Sequence, residues 1–170
     1  MPMNKAQSLP LAPVDYIPRI RDNYARLGYT PYKWIVNEDP PPWAPLGKPL
    51  SKCRLGLAAS GGIYMAGQVA FHYKDDTSLR EIPADADSSA LRATHFAYDL
   101  SVARTDPNVV FPIDTLGRLV REGIVGSLAS RLQTFMGGIY STRRVMTELA
   151  PQILKRLREE EVDAALLVPV

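Results

Sequence analysis

Residues 54–64 read RLGLAASGGIY, a short apolar run that ends at two consecutive glycines. The run predicts a buried strand that enters a tight turn at Gly61 and Gly62. The last nine residues, VDAALLVPV, form a second apolar run of strand length. Near-continuous apolar strands are typical of a parallel sheet that is covered on both faces. These two runs therefore predict an α/β fold.

Helical patterns separate the two strands. The segment IDTLGRLVREGIVG has apolar residues at helical spacing, with Asp114 as the predicted cap and Gly123 near its end. A longer helix is predicted over residues 141–161, where Pro151 should introduce a kink. A short strand is predicted at IVGSLA, and residues 74–99 predict a loop with at most one edge strand. This order predicts a doubly wound, mainly parallel sheet.

The first fifty residues have a different composition and contain most of the chain's 15 prolines. Proline fixes φ and removes a backbone donor, so WIVNEDPPPWAPLGKPL predicts an extended arm on a partner surface, anchored by Trp34 and Trp43. Only residues 14–27 have helical spacing, with Asp15 as a possible cap. We therefore predict a short helix and a Pro/Trp-rich arm in residues 1–50 and the α/β domain in residues 51–170, as one domain overall.

Composition excludes several classes of function. The 20 Lys and Arg residues balance 18 Asp and Glu residues, so the sequence predicts no nucleic-acid partner. No apolar segment approaches the roughly 18 residues of a membrane span. The single Cys53 excludes an intramolecular disulfide, and its expected role is inert packing. Two histidines without HxxxH spacing predict no zinc site. A cytoplasmic protein without a membrane partner is the expectation.

Ligands of open α/β sheets bind beyond the carboxyl ends of the strands, which points to two loops. The candidate substrate-binding residues in these loops are Ser60, Gly61, Gly62, Ser127, Met136 and Gly137. Paired glycines let backbone N–H groups approach a carboxylate or a phosphate. A plain tight turn explains the first loop equally well, and core packing explains the second. ASGGIY does not match GxGxxG, so no nucleotide cofactor is predicted.

The motif THFAYDLS brings three proton-carrying groups within five residues, namely His95, Tyr98 and Asp99. An imidazole, a phenol and a carboxylate suit proton transfer to a leaving amine, so these are the candidate catalytic residues. The alternative is a structural loop histidine, with Asp99 capping a turn. His72 is expected to be an exposed surface residue.

Several stretches resemble one family: VDYIPRIRDNYARLGYTPYKW, DPPPW with PLGKPL, LREIPAD, THFAYDLSVARTDPNVVFPIDTL, GIVGSLASRLQTFMG and VDAALLVPV. Their order and spacing are similar to the selenoprotein B family of glycine, betaine, sarcosine and D-proline reductases. The resemblance implies that the last strand runs directly into a selenocysteine or cysteine, with a second cysteine a few residues later. We expect this redox residue just beyond Val170, with a selenocysteine codon read as stop as the reason for the chain's end.

The resemblance also implies a reaction, the reductive cleavage of a C–N bond in a small amino acid or amine. A selenolate or thiolate would attack the carbon that bears the nitrogen, and a neighbouring thiol would resolve the adduct. A pyruvoyl group on a partner subunit would activate the amine, and no cofactor is expected in this chain. Partner subunits or a homo-oligomer are expected, because an incomplete α/β layer exposes apolar surface.

Two other functions stay open at this stage. One is a non-catalytic binding or assembly module related to the same family, whose arm and strand end dock onto a partner. The other, least favoured, is a hydrolase that uses Ser60 or Ser127 with His95, because neither serine lies in a nucleophile-elbow pattern.

Overall fold

A computed structural model describes residues 15–31 and 36–170, and the chain divides into two compact units, Met1–Trp43 and Ala44–Val170. In the first unit, helix α1 (Tyr16–Arg26) follows Asp15, whose side chain makes no capping hydrogen bond. Gly28, just after the helix, adopts a left-handed φ of 80°. The short helix predicted near residues 14–27 is therefore confirmed within the described residues.

The proline-rich segment has no regular structure where it is described. Residues 36–49 form neither helix nor strand, and Trp43 is 88% exposed. Two segments lie outside the described residues, namely residues 1–14 and residues 32–35, which include Trp34. The extended arm and its contact with a partner therefore stay predictions.

The second unit is built on one mainly parallel sheet. Strand β1 (Arg54–Ala59) is central and pairs with β7 (Ala164–Val168) on one side. On its other side, β1 pairs with β5 (Ser127–Leu128) and then with β6 (Arg131–Thr134). All three neighbours run parallel to β1, and β3 (Arg80–Pro83) joins β6 antiparallel at the edge. The mixed α/β fold with a mainly parallel sheet is confirmed, and its doubly wound arrangement stays a prediction.

Two short strands that follow β1 in the sequence form a separate antiparallel pair. Strands β2 (Ile63–Met65) and β4 (Leu91–Ala93) form a two-stranded antiparallel sheet. The prediction of at most one edge strand in residues 74–99 was wrong, because both β3 and β4 form there. Their short runs are mixed with polar residues, so no clear periodicity marks them.

Four helices follow in the chain: α2 (Leu100–Thr105), α3 (Ile113–Arg121), α4 (Thr142–Arg144) and α5 (Ala150–Glu159). The predicted cap of α3 was wrong, because the helix begins after Pro112 and Asp114 lies in its first turn. There, Asp114 exchanges hydrogen bonds with the side chain of Asn108.

A π-helical turn, Val145–Leu149, joins α4 to α5 where a proline kink was predicted. In this turn the N–H of Ala150 donates to the carbonyl of Val145, five residues earlier. Pro151 has no N–H to give and sits in the first turn of α5, a position that proline tolerates. The proline therefore starts a helical segment, and the irregularity lies just before it.

Helices pack on both faces of the sheet. Leu57 of β1 shares a buried core with Ile113 and Leu116 of α3. Gly56 points to the opposite face, where a Cβ atom would lie 2.5 Å from Leu157 of α5. A glycine is thus needed at position 56 for α5 to approach the sheet closely.

Strand β7 is less covered than its sequence predicts. Leu167 is 66% exposed and Leu166 is 37% exposed, although the apolar run predicts burial on both faces. That prediction was wrong for the described residues, since their helices cover β1 and leave β7 at an open edge. Among the same residues, no helix is long and apolar enough to cross a membrane.

Candidate functional site

The carboxyl ends of three parallel strands, β1, β6 and β7, lie together at one end of the sheet. Residues that directly follow β1, β6 and β7 contact one another there, and we call them the strand-end cluster. Its members are Ser60, Gly61, Gly62, Phe135, Met136, Gly137 and Val170. Five of the six candidate substrate-binding residues from the sequence belong to this cluster.

Backbone hydrogen bonds join the loops after β1 and β6. The N–H of Gly62 donates to the carbonyl of Phe135, and the N–H of Gly137 donates to the carbonyl of Ser60, both at 2.9 Å. Gly62 has a φ of 68°, and a Cβ atom there would lie 1.9 Å from the carbonyl oxygen of Thr94. Only glycine fits this position. Because the N–H of Gly62 already donates to Phe135, it is not available to bind an anion. Gly62 is needed for the backbone turn after β1.

Ser60 also ties the loop after β1 to the end of β7. Its N–H donates to the carbonyl of Val168 at 3.0 Å. Its Oγ accepts a hydrogen bond from the N–H of Val170 at 2.9 Å. Ser60 is buried, with 8% of its surface exposed. One small polar residue thus fixes the path of the chain as it leaves the last strand.

Two of the candidate catalytic residues flank the cluster. The Tyr98 hydroxyl donates to the carbonyl of Gly61 at 2.8 Å, and the ring centroids of Tyr98 and His95 are 4.8 Å apart. Burial raises the pKa of the Tyr98 phenol. Tyr98 and His95 are therefore a neighbouring pair beside the strand-end cluster.

His95 is held in one tautomer by its surroundings. The N–H of Ala97 donates to its Nδ1 at 3.0 Å, so a neutral ring carries its proton on Nε2. Nε2 is buried and has no hydrogen-bond partner among the described residues. Burial lowers the pKa of His95, which favours the neutral ring. Without a serine at Nε2, the described residues contain no Ser–His pair of the kind that a hydrolase needs.

Asp99 and Ser127 are placed elsewhere. Asp99 is exposed and caps α2 by accepting the N–H of Ser101 at 2.9 Å, and this hydrogen bond lowers its pKa. Ser127 pairs with Arg54 at the start of β1. The six residue-to-residue steps from Arg54 to Ser60 span about 20 Å along the strand, so Ser127 lies at the opposite end of the parallel strands.

A cavity of about 270 Å³ opens beside the strand-end cluster. It is lined by residues after β1 and β6 and by the helical segment that follows. These are Ser60, Phe135, Gly137, Ile139, Val145, Leu149, Ala150 and Ile153. Three of the helical residues, at positions 145, 149 and 153, repeat every four residues in the sequence. That spacing predicts a helix but does not tell a pocket wall from core.

A larger groove of about 820 Å³ lies beside β3 and has a different character. Its charged side chains already pair, since Glu81 bridges Arg131 at 3.0 Å and Arg156 at 2.8 Å. None of the strand-end residues lines this groove. The smaller cavity is therefore the better candidate site. The described residues hold no group of three side chains suited to a metal ion.

This fold and site define a mixed α/β protein in which residues that follow two parallel strands, β1 and β6, line a small cavity. Residues 30–170 match the family model described as glycine/sarcosine/betaine reductase selenoprotein B (GRDB). The chain belongs to this family, which confirms the resemblance found in the sequence.

Individual relatives agree with this membership. The chain is 36% identical over 128 residues to D-proline reductase subunit gamma of Acetoanaerobium sticklandii, covering 75% of this chain and 53% of the relative. It is 30% identical to glycine reductase complex component B subunit gamma of Symbiobacterium thermophilum, covering 75% and 30%. It is 29% identical to sarcosine reductase complex component B subunit beta of Peptoclostridium acidaminophilum, covering 81% and 32%.

The aligned part therefore spans about half the length of the first relative and about a third of the other two. No solved structure matches the chain.

Proposed function

We propose that this chain belongs to a subunit of a reductase complex that cleaves the C–N bond of a small amino acid or amine. The observation that carries the proposal is the hydrogen bond from Val170 to Ser60, which brings the end of β7 to the cavity. Membership of the reductase family and the names of its relatives support it. We place the reaction in the cytoplasm, because a single buried cysteine fits a reducing compartment.

The reaction in this proposal uses a selenocysteine or cysteine that follows Val170 in the full polypeptide. Its selenolate or thiolate attacks the carbon that bears the nitrogen, and the amine leaves with the bonding electrons. The thiolate of a second cysteine then attacks the selenium or sulfur, and the released carbon takes up a proton. A thiol reductant of the complex must reduce the new Se–S or S–S bond before the next turnover.

Residues of this chain take three roles in the proposal. The strand-end residues Ser60, Gly61 and Gly62 shape the turn beside the substrate. Gly137 lines the adjoining wall, and a Cβ atom there would lie 3.0 Å from that of Ser60. The neighbouring Met136 is fully buried and does not line the cavity.

Proton transfer to the leaving amine falls to His95 or Tyr98, which flank the cluster without lining the cavity. Asp99 acts as the cap of α2. A pyruvoyl group on a partner subunit would activate the amine.

The test begins with the DNA that follows the Val170 codon. A selenocysteine-type stop, followed in frame by a segment that contains cysteine, is the expected result. The complete polypeptide, with its redox residue replaced by serine, should then assemble into the complex but release no amine from glycine, sarcosine or betaine and open no ring of D-proline. An ordinary stop without an open frame, or full activity of the serine variant, would overturn the proposal.

A non-catalytic assembly module is the second candidate, and two observations favour it. Leu167 on β7 is 66% exposed, and helix α1 buries none of its residues. Leu167 and the exposed Ile17 and Ile20 of α1 are apolar side chains that suit a partner. This function predicts that a purified complex retains the chain but turns over normally when the strand-end cluster is altered.

A further inference from the structure

The groove beside β3 carries a concentrated positive charge. Four of its lining residues are cationic and one is acidic: the cations are Arg80, Arg131, Lys155 and Arg156, and the acid is Glu81. Four cations and one carboxylate give the lining a formal charge of +3, although the whole chain carries only +2. A local excess of one sign of charge attracts groups of the opposite sign. The groove therefore favours an anionic occupant.

Glu81 shows how this groove holds a carboxylate. One of its carboxylate oxygens lies 3.0 Å from Arg131, and the other lies 2.8 Å from Arg156. A guanidinium has five N–H donors, and among the described residues Arg131 donates one side-chain hydrogen bond, to Glu81. The side chain of Arg131 is also 64% exposed. Its other donors are therefore open to a second carboxylate.

Lys155 adds a further exposed cation to the groove. Its side chain is 71% exposed, and its ammonium lies 3.7 Å from Glu159, about one helical turn further along α5. Exposed ion pairs of this kind contribute little to stability, so an incoming carboxylate displaces Glu159 from Lys155 at small cost. Arg80 is part of the groove wall, since its guanidinium lies 4.4 Å from the Phe71 ring centroid and donates to the carbonyl of Val69.

The outer edge of β3 is closed to another strand. The side chain of Gln68 donates to the carbonyl of Glu81 at 3.0 Å, and Pro83 has no N–H to offer. Both features are ways in which edge strands avoid pairing with another chain. An occupant of the groove is therefore held by contacts between side chains and not by main-chain pairing.

The exposure of the cations selects a chain with several carboxylates over a single small anion. Each exposed ion pair is weak in water, and a free anion forms only a few of them at once. When several carboxylates are linked on one chain, each contact raises the effective concentration of the next. The occupant that gains most from this groove is therefore an acidic stretch of polypeptide.

We propose that the groove beside β3 binds an acidic segment of a partner subunit, whose carboxylates contact Arg131, Lys155 and Arg156. The inference rests on the subunit role in the proposed function but not on its chemistry. Relatives of the chain are named as subunits of component B of reductase complexes. The groove shares no lining residue with the cavity beside the strand-end cluster, so a segment bound there leaves the cavity open.

A model peptide tests the charge selectivity of the groove. A fluorescein-labelled hexaglutamate peptide is titrated with the chain, with a hexaglutamine peptide as the neutral control, and binding is followed by fluorescence anisotropy. Hexaglutamate should bind at least about tenfold more tightly than hexaglutamine at low salt, and its affinity should fall as the salt concentration rises. Equal binding of the two peptides would overturn the inference.

Two matched charge reversals on α5 locate the binding. Lys155→Glu and Arg158→Glu change the net charge equally at exposed positions, but only Lys155 lines the groove. Lys155→Glu should weaken hexaglutamate binding at least about tenfold, and Arg158→Glu should weaken it less than about threefold. The amide spectrum of each variant shows whether it is folded. Equal losses in the two folded variants would mean that net charge, and not the groove, attracts the peptide.

Two other anions test the class of occupant. Inorganic phosphate and a DNA duplex are each titrated against the labelled hexaglutamate complex. Both should compete less well than unlabelled hexaglutamate. Phosphate that binds as tightly as hexaglutamate would make the groove a small-anion site, and a duplex that binds more tightly would make it a nucleic-acid site. Either result would overturn the proposal.

The assembled complex shows whether a partner covers the groove. Acetylation of Lys155 by an N-hydroxysuccinimide ester should be at least about fivefold slower in the complex than in the free chain, because an interface excludes the reagent. Equal rates would contradict a partner at this groove. The measurement needs no turnover, so a complex that cleaves no amine would refute the proposed reaction and still decide the inference.

Discussion

The Oγ atom of Ser60 accepts a 2.9 Å hydrogen bond from the main-chain N–H of Val170, 110 residues later in the chain. Ser60 also donates its own N–H to Val168, so one residue holds two points of the segment that leaves β7. Most residues that follow a strand diverge quickly from the sheet. Here the chain stays against the loop after β1, next to the candidate cavity.

Ser60→Ala should release this segment without unfolding the sheet. The variant loses the acceptor of Val170 but keeps the backbone bond to Val168, a net loss of about 1 kcal/mol. We expect about fivefold faster hydrogen exchange at the Val170 amide, measured by NMR. Ser130→Ala, whose hydroxyl bonds Glu160 at 2.7 Å, is the control and should leave that amide unchanged. An unchanged rate in Ser60→Ala would show that the hydroxyl does not fix the segment.

Gly62→Ala should be among the most damaging substitutions in the chain. The left-handed φ of 68° and a Cβ position 1.9 Å from the Thr94 carbonyl oxygen combine strain with a backbone clash. We expect a loss of more than about 3 kcal/mol in the free energy of unfolding.

The matched control for Gly62 is Gly67→Ala, which has a φ of 93° but open space around its Cβ position. It should cost about 1 kcal/mol, from backbone strain alone. Urea unfolding of both variants measures the difference. Equal losses would mean that the contact with Thr94 relaxes freely.

The buried His95 should make stability depend on pH. Because burial lowers its pKa in the folded chain, the unfolded chain binds the proton more readily. Stability should therefore fall as pH drops below about 6.5, the ordinary pKa of histidine, and be retained above it. His95→Gln should flatten this part of the curve, measured as Tm between pH 8 and pH 5. A parent-like slope in His95→Gln would contradict this account.

Asp163 links the starts of β1 and β7. Its carboxylate accepts the N–H of Arg54 at 2.7 Å and lies 2.7 Å from Lys48, whose hydrogen bond lowers the pKa of Asp163. Asp163→Asn keeps an acceptor for Arg54 and should lower Tm slightly, whereas Asp163→Ala loses both partners and should lower it more.

The lowered pKa of Asp163 also predicts how the stability of the chain changes with pH. Stability from Asp163 is present above about pH 4, the ordinary aspartate range, and is lost as pH falls through the lower folded-state pKa. Asp163→Asn should therefore lose less stability than the parent chain in acid. An identical acid transition in the two proteins would argue against the ion pair.

Much of the fold follows from local sequence signals. The apolar run that ends at Gly61 and Gly62 predicts β1 correctly, since glycine is needed where backbone approaches backbone. The helical spacing after Pro112 predicts α3 in the same way. Strands β3 and β4 were missed because their stability comes from pairing with distant segments. Burial of β7 was overestimated, because an apolar run does not say how many helices will cover it.

Part of the candidate site was also predictable from the sequence. Residues after β1 and β6 meet because parallel strands end at one edge, so Ser60 and Gly137 were found from topology. Ser127 was predicted to lie in a loop beside the site because it follows the helix after Pro112 and the short strand predicted at IVGSLA. The register of β5 with Arg54 puts it at the other end of the strands. Ile139 and Ala150 carry no sequence signal, since an apolar residue of a pocket resembles one of the core. Register and side-chain packing are properties of the folded chain.

The enclosed Cys53 has a practical consequence for chemical labelling. Its side chain is fully buried, and its thiol donates to the carbonyls of Lys48 and Pro49. Maleimides and haloacetamides therefore find no target in residues 36–170 while they remain folded. In an assembled preparation, every adduct formed under native conditions reports another thiol or a selenol. Because the described residues contribute no labelled thiol, the number of adducts gives the number of reactive thiols or selenols elsewhere in the preparation.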